Sequence, residues 1–267
     1  MTDFVAAHAA GGTVDRLIER LAAGLGRLDD HTVAFVYATS EVAPHFTRLV
    51  AGLREATGIG AWVGTVGHGI CATGTEHWGT AAAVVLACRL PAGSFELLPS
   101  LDDTAAAARL GPGRVAAGLG IVHGDPRNGG VTEIVAALAR ARGLYLVGGL
   151  SSANSALPQF AGDALLEGGV SGVLLGGRQQ LAGGLTLGCS PVGPVHEVSR
   201  GYGQILVTLD NRPASEILLE DVGIAEGADP RPWLANVHAA IPVAGSRDAD
   251  YVVRNIVGLD MGKGLVA

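Results

Sequence analysis

VAFVYAT at Val33–Thr39 and WVGTVGHG at Trp62–Gly69 return, 84 residues on, as AGLGIVH at Ala117–His123 and LVGGLSSA at Leu146–Ala153. The shift needs no gap, and self-similarity at a fixed offset is the mark of an internal duplication. Each copy pairs two apolar runs dense in strand-forming residues, the second ending in glycines. Between the first pair, Val42, Phe46, Leu49, Val50 and Leu53 share one helical face over Ser40–Ala56, and Val131–Arg142 reads as the matching helix in the second copy. Working outward, Thr13–Leu28 is a helix with Thr13 as its N-cap, and Thr80–Leu90 and Val170–Gly176 are further strands. Glu96–Arg109 reads as a connector holding a short Ala-rich helix that ends near Gly111-Pro112-Gly113. These elements predict an α/β fold: internally duplicated β-α-β-β units forming mixed sheets flanked by helices, related by a pseudo-twofold axis. In such an arrangement each half-sheet covers the apolar face that the other cannot bury alone.

The character changes near Pro191–Pro194. His196–Val198 and Gln204–Leu209 read as strands, Asp210-Asn211-Arg212-Pro213 as a tight turn, Ala214–Asp221 as a helix and Tyr251–Gly258 as a last short strand. We therefore expect one domain over residues 1–190 and a smaller, incomplete second domain over 191–267.

Composition narrows the function. A chain of 267 residues can bury a sizeable core, and 41 glycines among 48% hydrophobic residues imply close backbone packing of small aliphatics. The net charge of -7, with no basic cluster, disfavours nucleic acid as a partner. Cys71, Cys88 and Cys189 are odd in number and widely spaced, which argues against a disulfide framework and for a reducing cytoplasm. The start lacks a basic segment leading into an apolar run, and apolar stretches such as Gly79–Leu90 fall short of the ~20 residues of a membrane helix, so neither secretion nor a membrane partner is expected.

Ligands of α/β proteins favour strand ends, and the duplication sets two equivalent turns there: Thr65–Cys71 and Gly149–Ser155. The candidate ligand-binding residues are Gly67, His68, Gly69 and Cys71 from the first and Ser151, Ser152 and Asn154 from the second. Flanking glycines let a ligand approach His68 closely, and hydroxyls and an amide can orient a small zwitterion without net charge. His68, Cys71 and His77 together suggest a metal or a haem iron, but no fourth ligand accompanies them, so no metal site is assigned. Cys71, Ser151 or Ser152 could act as a nucleophile with His68 or His123 as base, yet no nucleophile elbow is present, and no catalytic residue is assigned. Buried, inert thiols are the expected state of all three cysteines, and Trp62, Trp78 and Trp233 read as core or interface anchors.

HEVSRGYGQILVTLDNRPASEILLEDVG, at His196–Gly223, resembles the opening of the FIST C-terminal domain, and GIGAWVGTVGHGICATGTEHWGTAAAVVLACRLPAGSF, at Gly58–Phe95, resembles the central region of the FIST N-terminal domain. The resemblance implies a bacterial sensory or signal-transduction role and a small-molecule ligand, amino acids among those proposed for the family. It also implies haem and nitric oxide sensing in some members, which leaves haem as an alternative to a cofactor-free site. Relatives continue past the segment resembling Tyr251–Asp260 with motifs not found here, so a fragment or a reduced last domain is expected. With no kinase, cyclase-like or methyl-accepting segment, a signal would pass to a separate output protein; a homo-oligomer stays open.

Overall fold

The fold is described from a computed structural model. It covers all residues except 1–3, 29–31, 111–112, 114, 116, 155, 163, 177–187, 226–227, 235 and 243–250. The expected turn at Gly111-Pro112 and the side chain of Ser155 therefore lie outside the described residues. The chain divides into two units, Met1–Leu181 and Ala182–Ala267.

The first unit runs through one sequence of elements twice. The first pass is β1 (Phe4–Ala10), α1 (Val14–Leu25), β2 (Thr32–Thr39), α2 (Phe46–Thr57), β3 (Ala61–Gly67), a hairpin of β4 (Gly69–Ala72) and β5 (Thr75–Trp78), then β6 (Ala82–Arg89). The second is β7 (Phe95–Leu101), α3 (Thr104–Arg109), β8 (Ala117–Gly124), α4 (Val131–Arg142), β9 (Tyr145–Leu150), a hairpin of β10 (Gln159–Ala161) and β11 (Ala164–Leu166), then β12 (Val170–Gly176). The sheets have the orders β1-β6-β2-β3-β10-β11 and β7-β12-β8-β9, so four strands of each follow the same path. The pairs β2–β3 and β8–β9 are parallel and their neighbours antiparallel, which makes both sheets mixed.

Alternation along β2 shows how the layers stack. Ala34, Val36 and Ala38 pack with Leu17, Leu21 and Leu25 of α1 and Leu49 and Leu53 of α2. Val33, Phe35 and Tyr37 face the other way, toward Val173, Leu97 and Ile121 of the second sheet. The second sheet buries its opposite face against α4 through Ile134 and Leu138. A strand apolar on both faces is what a sheet sandwiched between helices and another sheet requires, and the result is four layers, helix–sheet–sheet–helix.

The register refines the 84-residue offset. Val36 lies across from Gly64, and Val122 across from Gly148. A Cβ on Gly64 would stand 1.8 Å from the Val36 carbonyl oxygen, and one on Gly148 1.8 Å from that of Val122, so glycine is obligatory at both positions. These pairs equate Val33 with Leu119, two residues beyond the gapless alignment, and an even slip leaves every side chain on its face.

Three sequence expectations change. The helix expected over Ser40–Ala56 opens as a 3-10 turn at Ser40–His45 containing Pro44, and the α-helix begins at Phe46; a proline tolerated in an opening turn interrupts the regular ladder further in. Glu96–Arg109 is more than a connector, because most of it is β7, whose Pro99 is accommodated at a sheet edge. Phe4–Ala10, read only as the start of the chain, is the edge strand β1.

In the second unit, β13 (Val198–Tyr202) and β14 (Ile205–Leu209) form a hairpin. Asp210 and Asn211, at φ 50° and 62°, then turn β14 back into β15 (Arg212–Pro213). Two positive-φ residues in a two-residue loop suit the twist of a hairpin. There follow α5 (Ala214–Val222), α6 (Arg231–Leu234), the paired strands β16 (His238–Pro242) and β17 (Tyr251–Asn255), and the short β18 (Leu259–Asp260) and β19 (Leu265–Val266). The His196 ring is held between two carboxylates, Nδ1 at 2.6 Å from Asp210 and Nε2 at 2.9 Å from Asp221. Carboxylates only accept, so both nitrogens donate and the ring is an imidazolium; the two acids hold its pKa above the ordinary histidine value.

Candidate functional site

The two turns singled out in the sequence are stitched together. The Thr65 and Ser151 hydroxyls share a hydrogen bond at 2.6 Å, and Thr65 also donates to the Pro158 carbonyl. The Ser152 amide donates to the Val66 carbonyl, and its hydroxyl accepts from the His68 amide at 3.3 Å. Each turn thus supplies the other with partners that a strand end would otherwise lack.

A cleft of about 380 Å³ opens beside this junction. Its walls are the end of β3 (Thr65, Val66, Gly67), the start of β4 (Gly69, Ile70, Cys71), the end of β9 (Gly148, Gly149, Leu150) and Ser152. Tyr37 from β2, His123 from β8 and Val84 from β6 complete the lining. No Asp, Glu, Lys or Arg lines it among the described residues. A Cβ added to Gly149 would meet nothing within 4 Å, so the missing side chain at 149 leaves this space open.

Tyr37 and His123 are equivalent positions of the two sheets and meet between them, the hydroxyl 3.0 Å from Nε2. Burial pushes the Tyr37 hydroxyl up to about 12 and the His123 imidazole down to about 4, so both are neutral near pH 7. His123 Nδ1 is buried with no hydrogen-bond partner. Tyr37 was missed in the sequence; the signal was a polar-tipped side chain in phase with Val33 and Phe35 on an otherwise apolar strand.

Of the expected ligand residues, Gly67, Gly69, Cys71 and Ser152 line the cleft; Ser151 lies buried behind it. His68 and Asn154 are exposed and outside the lining. The grouping of His68, Cys71 and His77 does not form. Hairpin pairing sets Cys71 across from Glu76 and Ile70 across from His77, so Cys71 and His77 point to opposite faces. His77 Nε2 lies instead 3.2 Å from Nδ1 of His8. No group of three or more His, Cys, Asp or Glu is arranged to hold a metal among the described residues. His68 lies outside the cleft lining, and the lining His123 turns Nε2 to the Tyr37 hydroxyl and keeps Nδ1 buried.

Burial of all three thiols is also corrected: Cys88 is buried and pushed up to about 11, while Cys71 and Cys189 are exposed; all three are free. Trp62 is a core anchor, fully buried and donating to the Ile59 carbonyl; Trp78 and Trp233 are exposed. The turn at Gly124–Gly130 satisfies itself. The buried Asp125 carboxylate accepts from Arg127 and the Gly168 amide, which hold its pKa below the usual carboxylate range, and Asn128 bonds the Gly130 amide.

No helix among the described residues is long and apolar enough to cross a membrane. No curated protein matches the chain. The family model of the FIST N domain matches residues 32–212, from the start of β2 through the first hairpin of the second unit. With about two thirds of its length under that match, the chain belongs to the FIST family of sensory, signal-transduction domains.

Proposed function

We propose that the cleft beside Tyr37 and His123 binds a small molecule of zero net charge, a neutral amino acid being the foremost class, and that the chain is a sensor and not an enzyme. The observation that carries this reading is the uncharged lining at two joined strand ends. A net charge moved from water into such a cleft would find no counter-ion, a large cost, whereas hydroxyls and main-chain groups can orient a zwitterion whose charges lie side by side. The hydroxyls near the cleft are engaged with Ser–Thr, Tyr–His and main-chain partners. No Ser or Thr hydroxyl there is hydrogen-bonded to a basic side chain, the coupling a hydrolytic nucleophile requires, which favours binding over turnover. We propose no haem or metal. The signal would pass to a separate protein, and the cytoplasm is the setting that the free thiols fit.

Thermal-shift screening of the full chain against the standard amino acids tests the reading. A ligand at 100 times its Kd stabilises the fold by about 2.7 kcal/mol, or roughly 5–10 °C for a unit of this size. At least one neutral amino acid should produce the shift in the wild-type chain and fail to in Gly149→Leu, which fills the cleft. A shift only with charged amino acids, or none with any, would sink the proposal.

A further inference from the structure

The two sheets differ at one edge. In the first sheet β3 is covered by β10, which pairs antiparallel with it, Gln159 across from Thr65, Phe160 from Gly64 and Ala161 from Val63. Phe160 is buried there against Phe46, and β10 also packs on β12 and β7 of the facing sheet. In the second sheet the equivalent strand is β9, which among the described residues pairs with β8 alone.

Chain length explains the difference. Residues 151–158 connect β9 to β10, whereas His68 alone connects β3 to β4. Facing sheets lie ~10 Å apart and one residue spans at most ~3.5 Å, so β4–β5 cannot reach β9 as β10–β11 reaches β3. It stays beside β2 and β6. The outcome, among the described residues, is an open edge on β9 and an uncovered inner face, with Phe4 58%, Leu86 41%, Tyr145 67% and Val147 37% exposed.

We propose that a second copy of this chain covers that edge, its β9 running antiparallel to this one across a twofold axis at Val147. The polarity is that of β10 on β3, and a strand pairing with its own copy about a twofold axis is necessarily antiparallel. The strand YLVGGL has no charge, proline or bulge, the usual protections of an exposed edge. β9 carries no Asp, Glu, Lys or Arg, so two chains of net charge -7 meet there without opposed charges on the paired strands. This register sets Leu146 across from Gly148, as Phe160 stands across from Gly64. It also sets the partner subunit's Tyr145 across from Gly149, where its ring closes the open side of the cleft. The dimer stands independently of the ligand reading, because its test reads association alone.

Sedimentation velocity should give a dimer for the wild-type chain at micromolar concentration. Val147→Lys, which opposes two ammonium groups on the axis, should raise its dissociation constant at least ~10-fold. Directly opposed residues of antiparallel strands lie within disulfide range, so Val147→Cys in a Cys71→Ser, Cys189→Ser background should cross-link on mild oxidation and Leu165→Cys, on the surface of β11, should not. This arm decides the matter if Val147→Lys fails to fold. A monomer throughout, including one that takes up an extended peptide at this edge, would overturn the proposal. So would a dimer indifferent to Val147→Lys and without the cross-link.

Discussion

Lowering the pH from 7 to about 4.5 should cost the first unit about 2 kcal/mol through His123 alone. The imidazole titrates near 6.5 in the unfolded chain and at about 4 in the folded one, because burial penalises its charged form. Between those values the unfolded state binds a proton that the native state refuses, so stability rises with pH and is lost as pH falls. His123→Gln removes this linkage while other acid-sensitive groups, such as the Asp125–Arg127 pair, remain. The two chains should therefore be compared by urea denaturation at several pH values. Trp78→Phe and Trp233→Phe in both backgrounds leave the buried Trp62 as the reporter of the first unit. The stability gap between wild type and His123→Gln should narrow by about 2 kcal/mol from pH 7 to about 4.5. A gap that stays constant would refute a buried, neutral His123, and with it the uncharged cleft.

The second unit should respond in the opposite sense. The folded pKa of His196 is raised by Asp210 and Asp221, so its contribution is complete below the ordinary histidine value and lost as pH rises through the raised one; an NMR titration of the ring should show a higher midpoint in the wild-type chain than in Asp210→Asn. Gly64→Ala and Gly148→Ala should each destabilise by about 3 kcal/mol or more, since the new methyl meets a backbone carbonyl. Gly149→Ala, whose methyl meets open space, should stay within about 0.5 kcal/mol by the same denaturation assay.

The strands VAFVYAT and LYLVG, the helix Val131–Arg142 and the paired turns were legible because apolar periodicity and glycine placement are local signals. The edge strands β1 and β7 were not, because an Ala-rich run and a strand containing Pro99 carry weak strand patterns. The hairpin β10–β11 contributes strands of three residues each, too short for alternation to register. At the site, Gly67, Gly69, Cys71 and Ser152 could be found from strand ends alone. Tyr37 could not, since its meeting with His123 depends on which sheet faces which, and His68 was overvalued because its glycine neighbours say nothing of where its ring points.

The central claim, a ligand site at the two joined strand ends, is tested most directly by amide chemical-shift mapping of the full chain with the most stabilising neutral amino acid. The account predicts perturbations concentrated at residues 65–71 and 148–152 and at Tyr37 and His123. Perturbations confined to the unit beginning at Ala182, or to α1–α4, would contradict it.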